Sequence, residues 1–220
     1  MALADNALTL VATVETELGL TAGAQDALLE RYINQASDLC ESYAGKSFYR
    51  DTAIVEKVVG DEGPYLFLAR PPINSITSIS YLSSNLDTSE YEIHEPAKNG
   101  IVYAVSGSWY RSGIHFGDIS HTRASGYARK VYTVNYDGGY YTPKQEDDGD
   151  GTRNLPYDIE YACLMITSYL YRSKGKDPSI ASESLLGSSV SYNTSVSSSV
   201  LSILPAAAGI LNQYKTVIMR

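Results

Sequence analysis

The apolar residues of this chain change period twice, and that change limits the folds open to it. Between Thr21 and Ala44 they recur every three or four positions, at Ala24, Leu28, Tyr32, Ala36, Leu39 and Tyr43, with Leu29, Ile33 and Cys40 widening the stripe. Gly45 follows, where a helix C-terminus favours a residue free to turn left-handed. A shorter helix is expected from Val11 to Leu18, closed by Gly19. From Thr52 to Tyr136 the period falls to two. Candidate strands are Thr52 to Val59, Tyr65 to Ala69, Ile76 to Leu82, Tyr91 to His94, Ile101 to Ala104 and Lys130 to Tyr136. Turn signals such as Asp61-Glu62-Gly63-Pro64 and Asn99-Gly100 separate them, and Pro71-Pro72 forces an extended corner.

Helical spacing then returns. Leu155-Pro156 opens a helix with Pro expected at its first position, Asp158 and Glu160 near the positive end, and Arg172 and Lys174 near the other. Ile159, Cys163, Ile166 and Leu170 form its buried stripe, and Gly175 stops it. Ser182 to Ser202 is too poor in apolar residues to fold alone and reads as an extended arm or linker. A last helix starts at Leu204-Pro205 with the apolar face Ile210, Leu211, Tyr214 and Val217. The expected fold class is α+β: a small helical bundle core, a β-rich insertion between its helices, and an extended C-terminal arm. The expected organisation is one domain, with N-terminal core helices in 1–50, the insertion in 51–140, an acidic loop and core helix in 141–180, and the arm and last helix in 181–220.

Composition narrows the function. The formal charge is −8, from 17 Lys and Arg against 25 Asp and Glu. A dedicated nucleic-acid binder needs a basic stripe to displace counterions, so that class is disfavoured, although DNA could still pass close by. No run of 18 apolar residues is present to cross a bilayer, and the N-terminus lacks a basic segment before its apolar residues, so a secretory signal and a membrane role are not expected. Two cysteines, Cys40 and Cys163, are too few for a disulfide framework or a zinc site. Tyrosine stands out, with 19 against 3 phenylalanines and one tryptophan. That excess suits surfaces buried against other proteins, because the ring is large and its hydroxyl tolerates a wet edge.

Few residues point to chemistry. Glu146-Asp147-Asp148-Gly149-Asp150-Gly151 resembles the front of a calcium loop, with oxygen ligands at alternate positions and glycine at the sixth. Its twelfth position, where a bidentate Glu belongs, is Tyr157, so a solvated acidic loop is the better reading. His94, His115 and His121 lack metal-ligand spacing, and the two cysteines fall on apolar helical stripes. No GxSxG, P-loop or GxGxxG occurs. The expectation is therefore a protein that is not an enzyme, with no catalytic, cofactor-binding or metal-ligating residues and no cofactor.

The order of the segments resembles the head-tail connector, or adaptor and head completion, family of tailed bacteriophages. The resemblance rests on the helix from Asp26-Ala27-Leu28-Leu29-Glu30 through Ala36 and Tyr43 to Gly45-Lys46-Ser47-Phe48; the corner Ala69-Arg70-Pro71-Pro72-Ile73 with Ile76-Thr77-Ser78-Ile79; and the strand Val131 to Tyr136 followed by Gly138-Gly139-Tyr140. Leu155-Pro156-Tyr157-Asp158-Ile159, then Ser182-Glu183-Ser184 before Gly187, Ser191-Tyr192 and the closing Leu204-Pro205 helix complete it. It implies a homo-oligomeric ring, usually of twelve copies, docked on the portal protein in the virion. Such a ring extends the DNA channel and joins the capsid to a stopper or tail-completion protein, the subunits having been made in the host cytoplasm. The chain departs from short members of the family in its long insertion and its acidic loop. Net negative charge suits a conduit that must not grip passing phosphates. From the residues alone a second class stays open: a carbohydrate-binding β module of a tail component, with Trp109 and the tyrosines as stacking platforms.

Overall fold

The computed structural model describes residues 2–60, 62–81, 84–105, 107–109, 131–174, 182–185, 188–191 and 204–215. His115, His121, Gly175, Val217 and the whole serine-rich stretch beyond Ser191 lie outside them. The chain divides into two compact units: Met1–Ser47 with Tyr141–Arg220, and Phe48–Tyr140.

The first unit is helical. Helix α1 is Val11–Leu18 and α2 is Asp26–Ala44; α3, Pro143–Asp147, is short; α4 is Tyr157–Arg172 and α5 is Pro205–Asn212. The α2 helix packs on α4, and α4 packs on α5. As expected, α2 ends at Gly45, whose φ of 71° lets its N–H reach the Glu41 carbonyl. Its start differs from expectation, at Asp26 rather than Thr21, and its inward face is rotated. The buried line is Leu29, Tyr32, Ile33, Ala36, Ser37, Cys40 and Ala44, so Tyr32 and Ala36 lie inward as expected, while Ala24 is exposed and Leu28, Leu39 and Tyr43 are half-buried. Ser37, which the apolar spacing does not place inward, can take its buried position because its Oγ accepts a hydrogen bond from the Leu8 amide at 3.1 Å. A hydroxyl so satisfied sits in a core at little cost.

The α4 helix begins one residue later than the sequence suggests. Pro156 is its N-cap, with φ −55° and ψ 134°, so the first helical residue is Tyr157. Ile159, Cys163 and Ile166 are buried as expected, whereas Leu170 is half-buried. Two expectations for the C-terminal region are corrected. The described part of the serine-rich stretch is not an extended arm but an antiparallel hairpin, β8 (Ser182–Leu185) with β9 (Ser188–Ser191). The last helix is not a face waiting for another protein, because Ala207 and Leu211 are fully buried within the helical unit. Its polar edges are fastened as well: Tyr214 Oη donates to the Asp158 carboxylate at 2.8 Å, and Tyr43 Oη donates to Asn212 Oδ1 at 3.0 Å.

The second unit is antiparallel β. Its strands are β1 (Asp51–Val59), β2 (Tyr65–Phe67), β3 (Ile73–Tyr81), β4 (Ser84–Asn85), β5 (Tyr91–Ile93), β6 (Ile101–Ala104) and β7 (Val131–Gly138). One sheet has the order β1-β7-β3-β4 and the other β2-β6-β5. Val134, Tyr136 and Tyr132 from β7, Ile79 from β3, Leu66 from β2 and Val102 from β6 fill one core, with Trp109 at its end. The sequence pattern finds six of these seven strands, because alternation survives in a sheet with one face buried; it misses the two-residue β4 and starts β3 at Ile76 rather than Ile73.

The two ends of this insertion are tied together. Tyr49 bridges to Tyr140, Arg50 N–H donates to the Tyr140 carbonyl, and Tyr140 N–H donates to Phe48, both at 2.8 Å. Gly139 makes the close approach possible: its φ is 98° and a Cβ there would strike the Tyr49 carbonyl. Beside this seam Arg50 Nε donates to Asp137 Oδ1 at 2.8 Å, the guanidinium forms a second bond to Oδ2, and Asn74 Nδ2 donates to Oδ1 at 3.1 Å.

Burial raises the Asp137 pKa, but the hydrogen bonds from Arg50 and Asn74 and the guanidinium charge outweigh it and hold the carboxyl below its ordinary value of 3.8. A group depressed on folding adds stability that is fully present above the unfolded pKa and is lost as pH falls through the folded one. We expect the stability gap between the wild type and Asp137→Asn to stay constant from neutral pH to about pH 5 and to shrink below about pH 4. Urea titrations at a series of pH values check this, and a gap independent of pH would contradict it.

Candidate assembly surfaces

The residues that sequence singled out for chemistry do not converge. Among the described residues no group of three or more His, Cys, Asp and Glu is placed to hold a metal ion. The acidic run is not a loop of alternating ligands. Thr142 caps α3 through a reciprocal bond pair with Gln145, Glu146 and Asp147 lie in the helix, and Asp148 pairs with Lys144 one turn back. What the run offers is an exposed acidic turn, Glu146 to Asp150. His94 ends up beside Tyr65, with ring centroids 5.6 Å apart and edge to face.

Cys40 and Cys163 are both buried and free. The neighbouring Cys163 thiol and burial push the Cys40 thiol upward, away from the thiolate that a nucleophile needs. Ser37 Oγ sits 3.7 Å from Cys163 Sγ, so these small polarizable groups share one packed seam between α2 and α4. Replacing Cys40 by Ala should cost about 1 kcal/mol through the small void left behind. Thermal melts of the variant check this; a variant with native stability would contradict the core assignment.

Trp109 cannot be a stacking platform. It is 2% exposed, donates from Nε1 to the Pro64 carbonyl at 3.1 Å, and meets Tyr132 edge to face at 5.1 Å. The carbohydrate reading loses its main anchor with it.

The tyrosine excess does produce exposed surface, on both units. On α4, Tyr157 is 78% and Tyr161 54% exposed, four residues apart and so stacked on one helix face. That face lies away from Ile159, Cys163 and Ile166. The Arg153 guanidinium lies 4.1 Å from the Tyr157 ring centroid, and its Nη2 lies 2.7 Å from Glu160 Oε2. Thr9 Oγ1 donates to the other Glu160 oxygen at 3.0 Å. A cation-π contact therefore anchors an exposed ring on a buried ion pair, which limits the side-chain entropy a partner would have to remove. On the β unit, Tyr65 and Phe67 of β2 are exposed on one face, where Tyr65 packs against Tyr103 with centroids 5.8 Å apart. Sequence reading places Tyr157 where a calcium ligand would be missing and within the helix-opening segment Leu155 to Ile159, and Glu160 as a helix-end charge, neither of them as exposed surface. The available signal was the Tyr157 and Tyr161 spacing opposite the buried stripe.

These surfaces sit on a known fold. The chain is similar to a subunit from the neck of an empty GTA particle computed with C6 symmetry, at 12% identity and a TM-score of 0.58, covering 100% of this chain and 95% of the other. It is similar to one from the neck of a native GTA particle computed with C12 symmetry, at 13% identity and TM-score 0.53, covering 100% and 94%. A third, from the virion of a native gene transfer agent particle, gives 13% identity and TM-score 0.57 over 100% and 95%. Identities this low establish a shared fold. No curated protein matches the chain. The sequence itself is matched from residue 7 to residue 217 by the family model described as Head completion protein, and the chain belongs to that family.

Proposed function

We propose that this head completion protein is the structural connector between head and tail of a phage-like particle. In this reading twelve copies close into a ring on the portal protein, extend its channel for the genomic DNA, and receive the stopper or tail-completion protein on the far side. The observation that carries the reading is the family match over residues 7–217. Fold similarity to neck subunits in particles computed with C12 and C6 symmetry supports the ring. The exposed Tyr157 and Tyr161 face is the kind of rigid aromatic surface that dominates protein interfaces. The exposed acidic turn and the charge of −8 suit a wall that lets DNA slide, since each neutralised phosphate would add affinity and slow transit. The role is structural rather than catalytic.

The test is reconstitution. DNA-filled, portal-bearing heads lacking the protein are mixed with purified chain and imaged. The expected result is a ring coaxial with the portal, and tails that join only after its addition. Copies bound elsewhere on the particle, or tails joining equally well without it, would overturn the reading.

A further inference from the structure

Among the described residues, each compact unit of this chain has a β edge with no further strand on it. The β1 strand is nine residues long, pairs with β7 on one side, and has no strand on its other side among the described residues. Long exposed edges are commonly blunted by proline, by charge or by a bulge. Here the strand has no proline, and its one register irregularity lies at the start, between Asp51 and Ile54. Beyond it the pairing runs regularly to Val59, with Val55, Lys57 and Val59 exposed and Val55 64% so. Glu56 does not guard the edge, because its carboxylate is held by Tyr136 Oη and the Ala69 amide, so Lys57 is the one exposed charge between Ile54 and Val59 and a strand added there must meet it with an opposite charge.

The second open edge is the β8-β9 hairpin, which forms a two-stranded sheet by itself. A hairpin of four-residue strands is marginal in water unless a third strand or an apolar face supports it. Its strands carry one charged residue, Glu183, opposite in sign to Lys57.

We propose that in the assembled ring the β8-β9 hairpin of one copy adds to the free edge of β1 in the next copy. The inference rests on the ring reading above. A ring contact is heterologous, so it must join two different surfaces of one chain, and an edge strand and a hairpin that each lack a further strand among the described residues are such a pair. Strand addition draws its affinity from backbone hydrogen bonds, which explains how a serine-rich segment with little apolar content can hold a subunit boundary. Opposite charges on Lys57 and Glu183 favour one register over its slips. The occupant is a second copy because donor and acceptor both belong to this chain and neither is completed within the described residues.

Hydrogen exchange and disulfide trapping test this on rings assembled on portal-bearing heads. Amides of Asp51–Val59 and of the hairpin should slow together by at least about tenfold between the free chain and the ring. Because both native cysteines are buried, introduced thiols are the reactive ones. Lys57→Cys combined with Glu183→Cys or with Val190→Cys, the residue paired with Glu183 across the hairpin, should give a ladder of covalent multimers on oxidation, and no single variant should. A ring in which β1 exchanges as fast as in the free chain would overturn the proposal while leaving the connector role intact. Protection of β1 without the hairpin, or a cross-link confined to monomers, would overturn it equally. Failure of the wild-type chain to form any ring on the portal would instead remove the reading it rests on.

Discussion

Replacing Glu160 by Ala should destabilise the helical unit by about 3–5 kcal/mol, the cost of removing one partner from a buried ion pair. The side chains of Arg153 and Glu160 are only 15% and 8% exposed. Arginine cannot escape by losing its proton, so without the carboxylate its charge stays in the protein uncompensated. The stake is raised by Arg153 Nε and Nη2, which are buried and meet no well-aligned acceptor among the described residues, leaving the Glu160 charge to offset them. Three variants separate charge from shape. Glu160→Gln keeps an acceptor for Thr9 but loses the charge, and should cost nearly as much as Glu160→Ala. Arg153→Met with Glu160→Leu removes both charges and should recover most of the loss, because apolar isosteres of buried pairs are often neutral or better. Urea midpoints with unchanged slopes report the difference. A Glu160→Ala chain within about 0.5 kcal/mol of wild type would show that water reaches the guanidinium. The same residues should matter for assembly, since Arg153 also fixes the Tyr157 ring from below.

That pair also marks where sequence reading stops. Most elements were legible because apolar spacing holds one period along each of them: the strand Ile101–Ala104, the helix Val11–Leu18 and the stop at Gly45 stand where alternation, spacing and glycine placed them, whereas the serine-rich β8-β9 hairpin has too few apolar residues to show a period. What hydrophobic periodicity cannot register is a polar side chain that is buried because a distant partner satisfies it. Ser37 belongs to the inward line of α2 through Leu8, and Glu160 is buried through Arg153 and Thr9. Tyr214 looked like part of an unpartnered apolar face, yet its hydroxyl is spoken for by Asp158, 56 residues earlier. Composition correctly suggested that tyrosines would build surface, but it could not say which ones. Burial removed Tyr132 and Tyr136 from the candidates and left Tyr65, Tyr157 and Tyr161. Trp109 fell for the same reason, since a lone tryptophan in a β-rich stretch serves a core as readily as a binding face.

Truncation before Leu204 should abolish cooperative folding of the helical unit. The serine-rich stretch ahead of the last helix suggests a tail that can be cut away from a folded protein, but the structure puts α5 inside the fold. Ala207 and Leu211 are fully buried, α5 packs on both α4 and α2, and hydrogen bonds from Tyr214 to Asp158 of α4 and from Tyr43 of α2 to Asn212 fasten its C-terminal end. Leu211→Ala alone should cost about 2–5 kcal/mol by emptying a core position. A domain typically has about 5–15 kcal/mol in all, so loss of the whole helix, with the α2 and α4 faces it covers, should exhaust what the unit has. Tyr214→Phe, which removes only the bond to Asp158, should cost about 1 kcal/mol and leave the unit folded. The decisive measurement is hydrogen exchange on the free, unassembled chain. Amides of Ala208 to Asn212 should be protected to the same degree as those in the middle of α2 and α4, because all three helices open together. Fast exchange there, or a truncated chain that melts like the full one, would return α5 to the role of a tail that orders only on assembly.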